Sequence, residues 1–377
     1  MTTKATFENV RDEFEFADNA TYLNAASVGP LPKRTRAAMN NYYDISQHCP
    51  WKVDNHLGEA FATVRQLCAD MLHTSMDNVT YGYNTGYGVN IATFGLPLER
   101  GDEIVVGAKE FPANVYPWLA LKERGVVVRF VESDGFAPTV ADFAKVVTPK
   151  TKVIAASFVQ FYNGAKLPLA DISELAKSVE AFFVVDAIQG LGVEPINFDD
   201  LKIDILCAGA QKWMLSPLGI GVIAVSEKAR ARMRPIMQSW LSVEWEHFFD
   251  LFQYDKPVYQ DSRRFTTGTA PAGHLIAFAE SLRMLLELGT ENIQRHTHGL
   301  LDTLIAALNS DSRYSMQSPL DESQRSSILS FTCDGYQDLF ARLQKNNIIC
   351  AQREGGIRIA PHCYSSESDV KHLLTFL

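Results

Sequence analysis

Two short apolar runs within residues 182–221 constrain the fold most. FFVV at 182–185 and IDILC at 203–207 read as strands buried in a sheet. The first run ends in Asp186, with Gln189 three residues later, and the second passes through small residues to Lys212. An acid and a lysine at the exits of two buried strands fit a site at the carboxyl edge of an open α/β sheet. Taken singly, each has a plainer reading: Asp186 as the cap of a following helix, Lys212 as an exposed loop lysine. Together they also suit a definite chemistry, because a lysine amine can form a Schiff base and a carboxylate can keep a nearby ring nitrogen protonated.

The same alternation continues on both sides. Strand patterns at 103–106, 126–131, 152–157 and 219–225 are separated by a helical pattern at 114–122 and by a face of Ile172, Leu175, Ala176 and Val179, with Asp171 and Glu174 spaced as a capping box. Strands separated by helices imply right-handed crossovers and a mostly parallel sheet. Upstream, 34–43 and 59–72 have helical spacing, with Phe61, Val64, Leu67, Cys68 and Met71 on one face. The first twenty residues, acidic and aromatic, read as a short helix docked elsewhere. Small residues around Thr85 and Gly86 lead into an apolar helical run at 89–94. Such a turn presents backbone N–H groups and a favourable helix dipole to an anion. In the carboxyl third, helical patterns at 272–288, 300–308 and 336–344 alternate with strand patterns at 327–331, 348–351 and 356–359, which suggests a smaller α/β domain. The expected fold is therefore α/β, with a large domain of residues 18–255 and a small one formed by 1–17 and 256–377. A chain of 377 residues is long enough for two cores. The stretch 240–259, rich in aromatics from Trp240 through Phe248 and Phe249 to Tyr254, follows neither period. Lid, dimer contact and pocket wall all stay open for it.

Composition removes several classes. A net charge of −9 and a pI of about 5.5 argue against nucleic acid as a partner. There is no run of eighteen apolar residues, hence no expected membrane span, and the first residues lack the apolar core of a signal peptide. Six cysteines occur without a CxxC pair, so neither a metal site nor a disulfide framework is expected, and a reducing cytoplasm is the simplest compartment. No GxGxxG or P-loop string is present, which argues against an unrelated nucleotide-binding protein.

VDAIQ at 185–189, AQKW at 210–213 and RRFTTGT at 263–269, in this order, resemble the class-V aminotransferase family of fold-type I pyridoxal-phosphate enzymes. That family includes cysteine desulfurases, selenocysteine lyases, kynureninases and isopenicillin N epimerases, and the likeness runs from about residue 22 to 364. It implies a fold-type I transferase acting on an amino acid. In it Lys212 carries the cofactor and then serves as general base, and Asp186 holds the ring nitrogen. Gln189 bonds the ring hydroxyl, Thr85 and Gly86 bind the phosphate, and Phe111 stacks on the ring. Gln211, where relatives often have histidine, hydrogen-bonds a cofactor oxygen. Thr269 implies a homodimer, since in relatives this loop reaches the neighbouring protomer's phosphate. Arg358 is expected on the substrate α-carboxylate, with Asn24 and Arg353 as further substrate contacts.

Two departures stand out. Desulfurases carry a long loop with a nucleophilic cysteine between the two arginine positions, whereas only four residues separate Arg353 from Arg358. They also usually carry histidine where Phe111 stands, and phenylalanine cannot transfer a proton. Cys350 and Cys363 flank the region without occupying the loop. Transamination, cleavage of a C–S or C–Se bond, and epimerisation share one core, so the sequence does not choose among them. A non-catalytic, regulatory pyridoxal-phosphate protein is the alternative of another class, and the retained Lys212 and Asp186 argue against it.

Overall fold

The structure is a computed structural model and describes residues 4–18, 20–52, 54–247 and 251–377. The amino-terminal half carries β1 (Thr21–Tyr22), α1 (Lys33–His48), α2 (Asp54–Leu72), β2 (Val79–Gly82), α3 (Thr85–Gly95), β3 (Glu103–Gly107), α4 (Tyr116–Leu119), β4 (Val127–Val131), α5 (Val140–Val146), β5 (Thr151–Ser157) and α6 (Leu169–Ser178). There follow β6 (Phe182–Asp186), β7 (Ile205–Gly209), β8 (Gly221–Val225), α7 (Glu227–Arg232), α8 (Ala272–Leu288) and α9 (Thr290–Asn309). The chain closes with β9 (Tyr314–Met316), β10 (Leu329–Cys333), α10 (Tyr336–Lys345), β11 (Ile348–Ile349), β12 (Ala351–Arg353), β13 (Gly356–Ile359) and α11 (Glu367–Leu374).

A seven-stranded sheet in the order β2-β8-β7-β6-β5-β3-β4 forms the centre. β7, β6, β5, β3 and β4 pair in parallel, while β8 pairs antiparallel with both β7 and β2. The strands are apolar throughout because both faces are covered. Alternate side chains divide between two cores: Phe183 and Val185 face α2, α6 and α8, whereas Phe182 and Val184 face α3 and α7. α3 lies very close to β7, since a Cβ on Gly88 would stand 2.6 Å from Cys207 Sγ. A third core joins α9, α10 and α11 to the antiparallel sheet β12-β13-β10-β9. Helix α8, placed by the sequence in the smaller unit, buries Leu275, Phe278 and Leu282 in the large core instead.

Local expectations diverge at identifiable points. The helix expected at 114–122 is broken into a 3₁₀ turn at Pro112–Asn114, a single turn at α4 and another 3₁₀ segment, because Pro112 and Pro117 interrupt it. The capping box expected from Asp171 and Glu174 does not form. Pro168 precedes α6 and Asp171 lies inside its first turn. True capping boxes occur at Thr139–Asp142 and Ser366–Asp369. The amino-terminal helix is replaced by two 3₁₀ turns, Val10–Glu13 and Glu15–Asp18, and Val10 and Phe14 dock in the large core. The run 348–351 is split between two sheets, with Ile348 and Ile349 pairing with β1 and Ala351 beginning β12. Phe248 and Phe249 of the aromatic stretch lie outside the described residues. Its residues 240–247 and 251–259 are irregular, with one bridge from Val243 to Val258.

Candidate active site

β2, β3, β5, β6 and β7 all point their carboxyl ends to one edge of the sheet, and each is followed there by a residue with chemistry to offer. Asp186 is the last residue of β6 and is 2% exposed. Its Oδ1 accepts a 3.0 Å hydrogen bond from the Ile188 N–H, and among the described residues it has no ion pair. Burial pushes this carboxyl up. The nearby Glu110 adds to the rise, while the Ile188 bond and Lys212 oppose it. Lys212 follows β7, with Nζ 5.7 Å from the centre of the Phe111 ring. Burial pulls its amine down, Asp186 opposes this, and Arg358 and Arg353 pull it further.

The loop bearing Lys212 is gripped from several sides. Gly29 N–H donates to the Gln211 carbonyl at 2.7 Å, and a Cβ on Gly29 would stand 2.0 Å from the Lys212 carbonyl oxygen. Gly192, at φ +108°, likewise approaches the Trp213 carbonyl closely. That same carbonyl accepts from His362 Nε2 at 2.9 Å, while His362 Nδ1 accepts from the Cys363 N–H at 2.6 Å. Trp213 Nε1 donates to Gln189 Oε1 at 3.0 Å, and Gln189 Nε2 donates to the Ala26 carbonyl at 3.2 Å. Much of the Gln189 amide is therefore spent on protein partners, leaving one N–H for a ligand.

At the start of α3, Asn84 caps the helix by accepting from the Tyr87 N–H at 2.9 Å. Thr85 Oγ1 accepts from the Gly209 N–H at 3.0 Å, which keeps its own O–H free to donate. The first N–H groups of a helix lack intrahelical partners, so this end offers an anion site. After β3, Phe111 is 42% exposed and meets Phe161 edge-on at 5.2 Å. The preceding residue, Glu110, is buried, forms no ion pair among the described residues, and is held by the Ser157 N–H at 2.9 Å, the Ser157 hydroxyl, Gln160 and Asn114. On β13, Arg358 is 1% exposed. It donates to the Phe161 carbonyl at 2.5 Å and to Ser27 Oγ at 2.8 Å, and its Nε is buried without an acceptor. Burial lowers Arg358 to about 9, and Arg353 adds to this. Asn24 bridges to Ala360 through the main chain and has a buried Oδ1 without a partner.

The fold thus gathers Lys212, Asp186, Gln189, Gln211, Phe111, Thr85, Gly86, Arg358, Arg353 and Asn24 at one edge. Thr269 stands outside this group. Its loop is tied down by a 3.0 Å bond between the Thr266 and Thr80 hydroxyls, and Thr269 itself is exposed with no hydrogen bond among the described residues. Sequence reasoning missed Ser27, Gly29, Glu110, Gly192 and His362, whose roles come from close approach rather than from any local pattern. A buried carboxylate, a lysine opposite an aromatic face, a helix start and a buried guanidinium, with neither the carboxylate nor the guanidinium in an ion pair among the described residues, fit the ring nitrogen, aldehyde, phosphate and substrate carboxylate of pyridoxal-phosphate chemistry.

The profile of the class-V aminotransferases matches residues 21–373. A probable cysteine desulfurase of Methanothermobacter thermautotrophicus is 26% identical over 313 residues, covering 80% of this chain and 76% of the relative. The fold is similar to that of a cysteine desulfurase from Thermococcus onnurineus, solved in its apo form, with a TM-score of 0.87, 22% identity and coverage of 100% of this chain and 98% of the other. It is also similar to the cystine C–S lyase C-DES, solved in complex with its product cysteine persulfide, with a TM-score of 0.88, 22% identity and coverage of 96% and 98%.

Proposed function

Since the chain belongs to the class-V aminotransferase family and is a pyridoxal-phosphate enzyme, we propose that it acts on a free α-amino acid whose carboxylate docks on Arg358 and whose α-proton is taken by Lys212. The observation that carries this reading is the arginine itself. A guanidinium buried this fully, with carbonyl and hydroxyl partners but no carboxylate among the described residues, is a charge held ready for an anionic ligand.

Lys212, Asp186, Gln189, Gln211, Thr85, Gly86 and Phe111 would hold the cofactor. When bound, it supplies an electron-accepting ring conjugated to the amino acid. Burial makes Lys212 a better proton acceptor near neutral pH than an exposed lysine. Asp186 holds negative charge where a protonated ring nitrogen needs it, and Phe111 closes one side against water without offering a proton. Glu110 fixes the segment bearing Phe111 onto the end of β5 through Ser157. The exposed Thr269 supports a homodimer in which this residue completes the neighbouring site. Six free cysteines support a cytoplasmic location, and no described helix is long and apolar enough to cross a membrane.

The test is an absorbance spectrum of purified protein, then a panel of amino acids. A visible-edge band that borohydride abolishes, with label on Lys212, and spectral change on adding amino acids that disappears in Arg358→Ala are expected. Protein that takes up no cofactor, or Arg358→Ala responding as wild type, overturns the reading.

A second reading, C–S bond cleavage without an enzyme persulfide, is favoured by the turn between the arginines. Glu354 and Gly355, at φ +42° and +83°, close β12 onto β13 as a two-residue hairpin, with no room for a cysteine-bearing loop.

A further inference from the structure

Arg353 and Arg358 share one face of the β12–β13 hairpin. Arg358 is opposite Ala351 and Arg353 is opposite Gly356, and residues two apart on a strand face the same way. Both guanidiniums converge on one neutral atom: Ser27 Oγ accepts from Arg358 at 2.8 Å and from Arg353 at 3.4 Å. Their other recorded partners are backbone carbonyls, Phe161 for Arg358 at 2.5 Å and Gln352 for Arg353 at 2.6 Å. Among the described residues neither forms an ion pair. Glu354, in the turn between them, is exposed and bonds to neither. Lys212 lies close enough to feel both charges. Two guanidiniums therefore lie at the substrate end of the site, and at Lys212 the charge of Asp186 opposes theirs.

One α-carboxylate occupies one guanidinium fork. A second fork on the same face, half-buried and equally without an acid, is left over. We propose that the two arginines divide two anions of a single substrate: Arg358 takes the α-carboxylate and Arg353 takes a carboxylate on the side chain. The preferred substrate is then an amino dicarboxylate of the aspartate–glutamate type. Ser27 sets the spacing, since its oxygen ties both forks to the loop from β1. The inference rests on the proposed amino-acid chemistry at Lys212, but it is tested separately from it.

The test uses cofactor-loaded protein and substrate analogues that lack an amine, so no turnover is needed. Succinate and glutarate are titrated against butyrate by calorimetry, in wild type, Arg353→Gln and Arg353→Lys. The dicarboxylates are expected to bind about tenfold or more tightly than butyrate. Arg353→Gln should lower dicarboxylate affinity far more than butyrate affinity and so remove that advantage, and Arg353→Lys should restore part of it. In turnover, Arg353→Gln should raise KM for aspartate or glutamate by a larger factor than for alanine. Equal affinity for mono- and dicarboxylates in wild type overturns the proposal, as does an Arg353→Gln variant that loses both equally, because Arg353 would then grip the α-carboxylate. Either result leaves the cofactor chemistry standing, whereas failure to load cofactor onto Lys212 counts against that chemistry alone.

Discussion

Asp186 and Lys212 sit at the ends of neighbouring strands, and their environment tunes both. Replacing Asp186 by Asn keeps its shape and removes its charge. The variant is expected to retain most cofactor yet to lose about 10²-fold or more in kcat, because the charge matters most as the ring takes up electrons. Steady-state kinetics beside cofactor absorbance check this, and unchanged kcat would make Asp186 structural. His362 gives a second residue-level prediction. Burial lowers it to about 4, with its bond to the Trp213 carbonyl opposing. A depressed folded value stabilises the protein above the unfolded value, near 6.5, and that stability is lost as pH falls toward 4. Up to about 3 kcal/mol is at stake, because each tenfold change in proton affinity is worth ~1.4 kcal/mol. Urea unfolding at pH 7 and pH 4.5 should show a smaller acid loss for His362→Asn than for wild type. Asp186 and Lys212 were legible because a strand pattern announces where each emerges. His362 and Ser27 were not, since each acts on a residue more than a hundred positions away.

Elements were legible where one period held without interruption. α8 was read with its observed ends, because a single apolar stripe runs from Ala272 to Leu288. The segment after β3 was misread as one helix, because prolines at 112 and 117 outweigh its apolar spacing. The β12–β13 hairpin was legible only as a short distance between two arginines, and the structure turns that distance into a chemical limit. Burial pushes the Cys350 thiol up to about 12, and it raises Cys363 as well. Neither is a ready nucleophile. Intact-mass spectrometry after incubation with cysteine is therefore expected to show no added sulfur on the enzyme, and Cys350→Ser should keep full activity. A persulfide on either residue would restore the desulfurase reading. The tight entry of residues 24–29 makes a further prediction. Gly29→Ala places a methyl against the Lys212 carbonyl and should cost about 1–3 kcal/mol of stability, with a larger fall in borohydride labelling of Lys212. Wild-type labelling in that variant would show the loop to be adaptable.

At the scale of the whole molecule, the exposed Thr269 is the feature that looks outward. Mixed dimers of Lys212→Ala and Thr269→Ala subunits should regain one intact site each, and so exceed either parent in activity. No gain on mixing would place Thr269 in its own chain's site. The large sheet was legible from its repeated strands and helices, but the stitching between the two ends of the chain was not. Thr21 and Tyr22 pair in parallel with Ile348 and Ile349, and Asn24 bridges to Ala360. More than three hundred residues separate these partners, so this pairing must wait until residues 348–360 have left the ribosome. The large sheet can assemble early, with Asp186 and Lys212 in place, while the segment carrying Asn24, Ser27 and Gly29 waits unpaired. Nascent chains halted before residue 348 should thus hold a folded sheet that is unable to grip an amino acid, and the competence to do chemistry should arrive only once residues 348–360 have emerged.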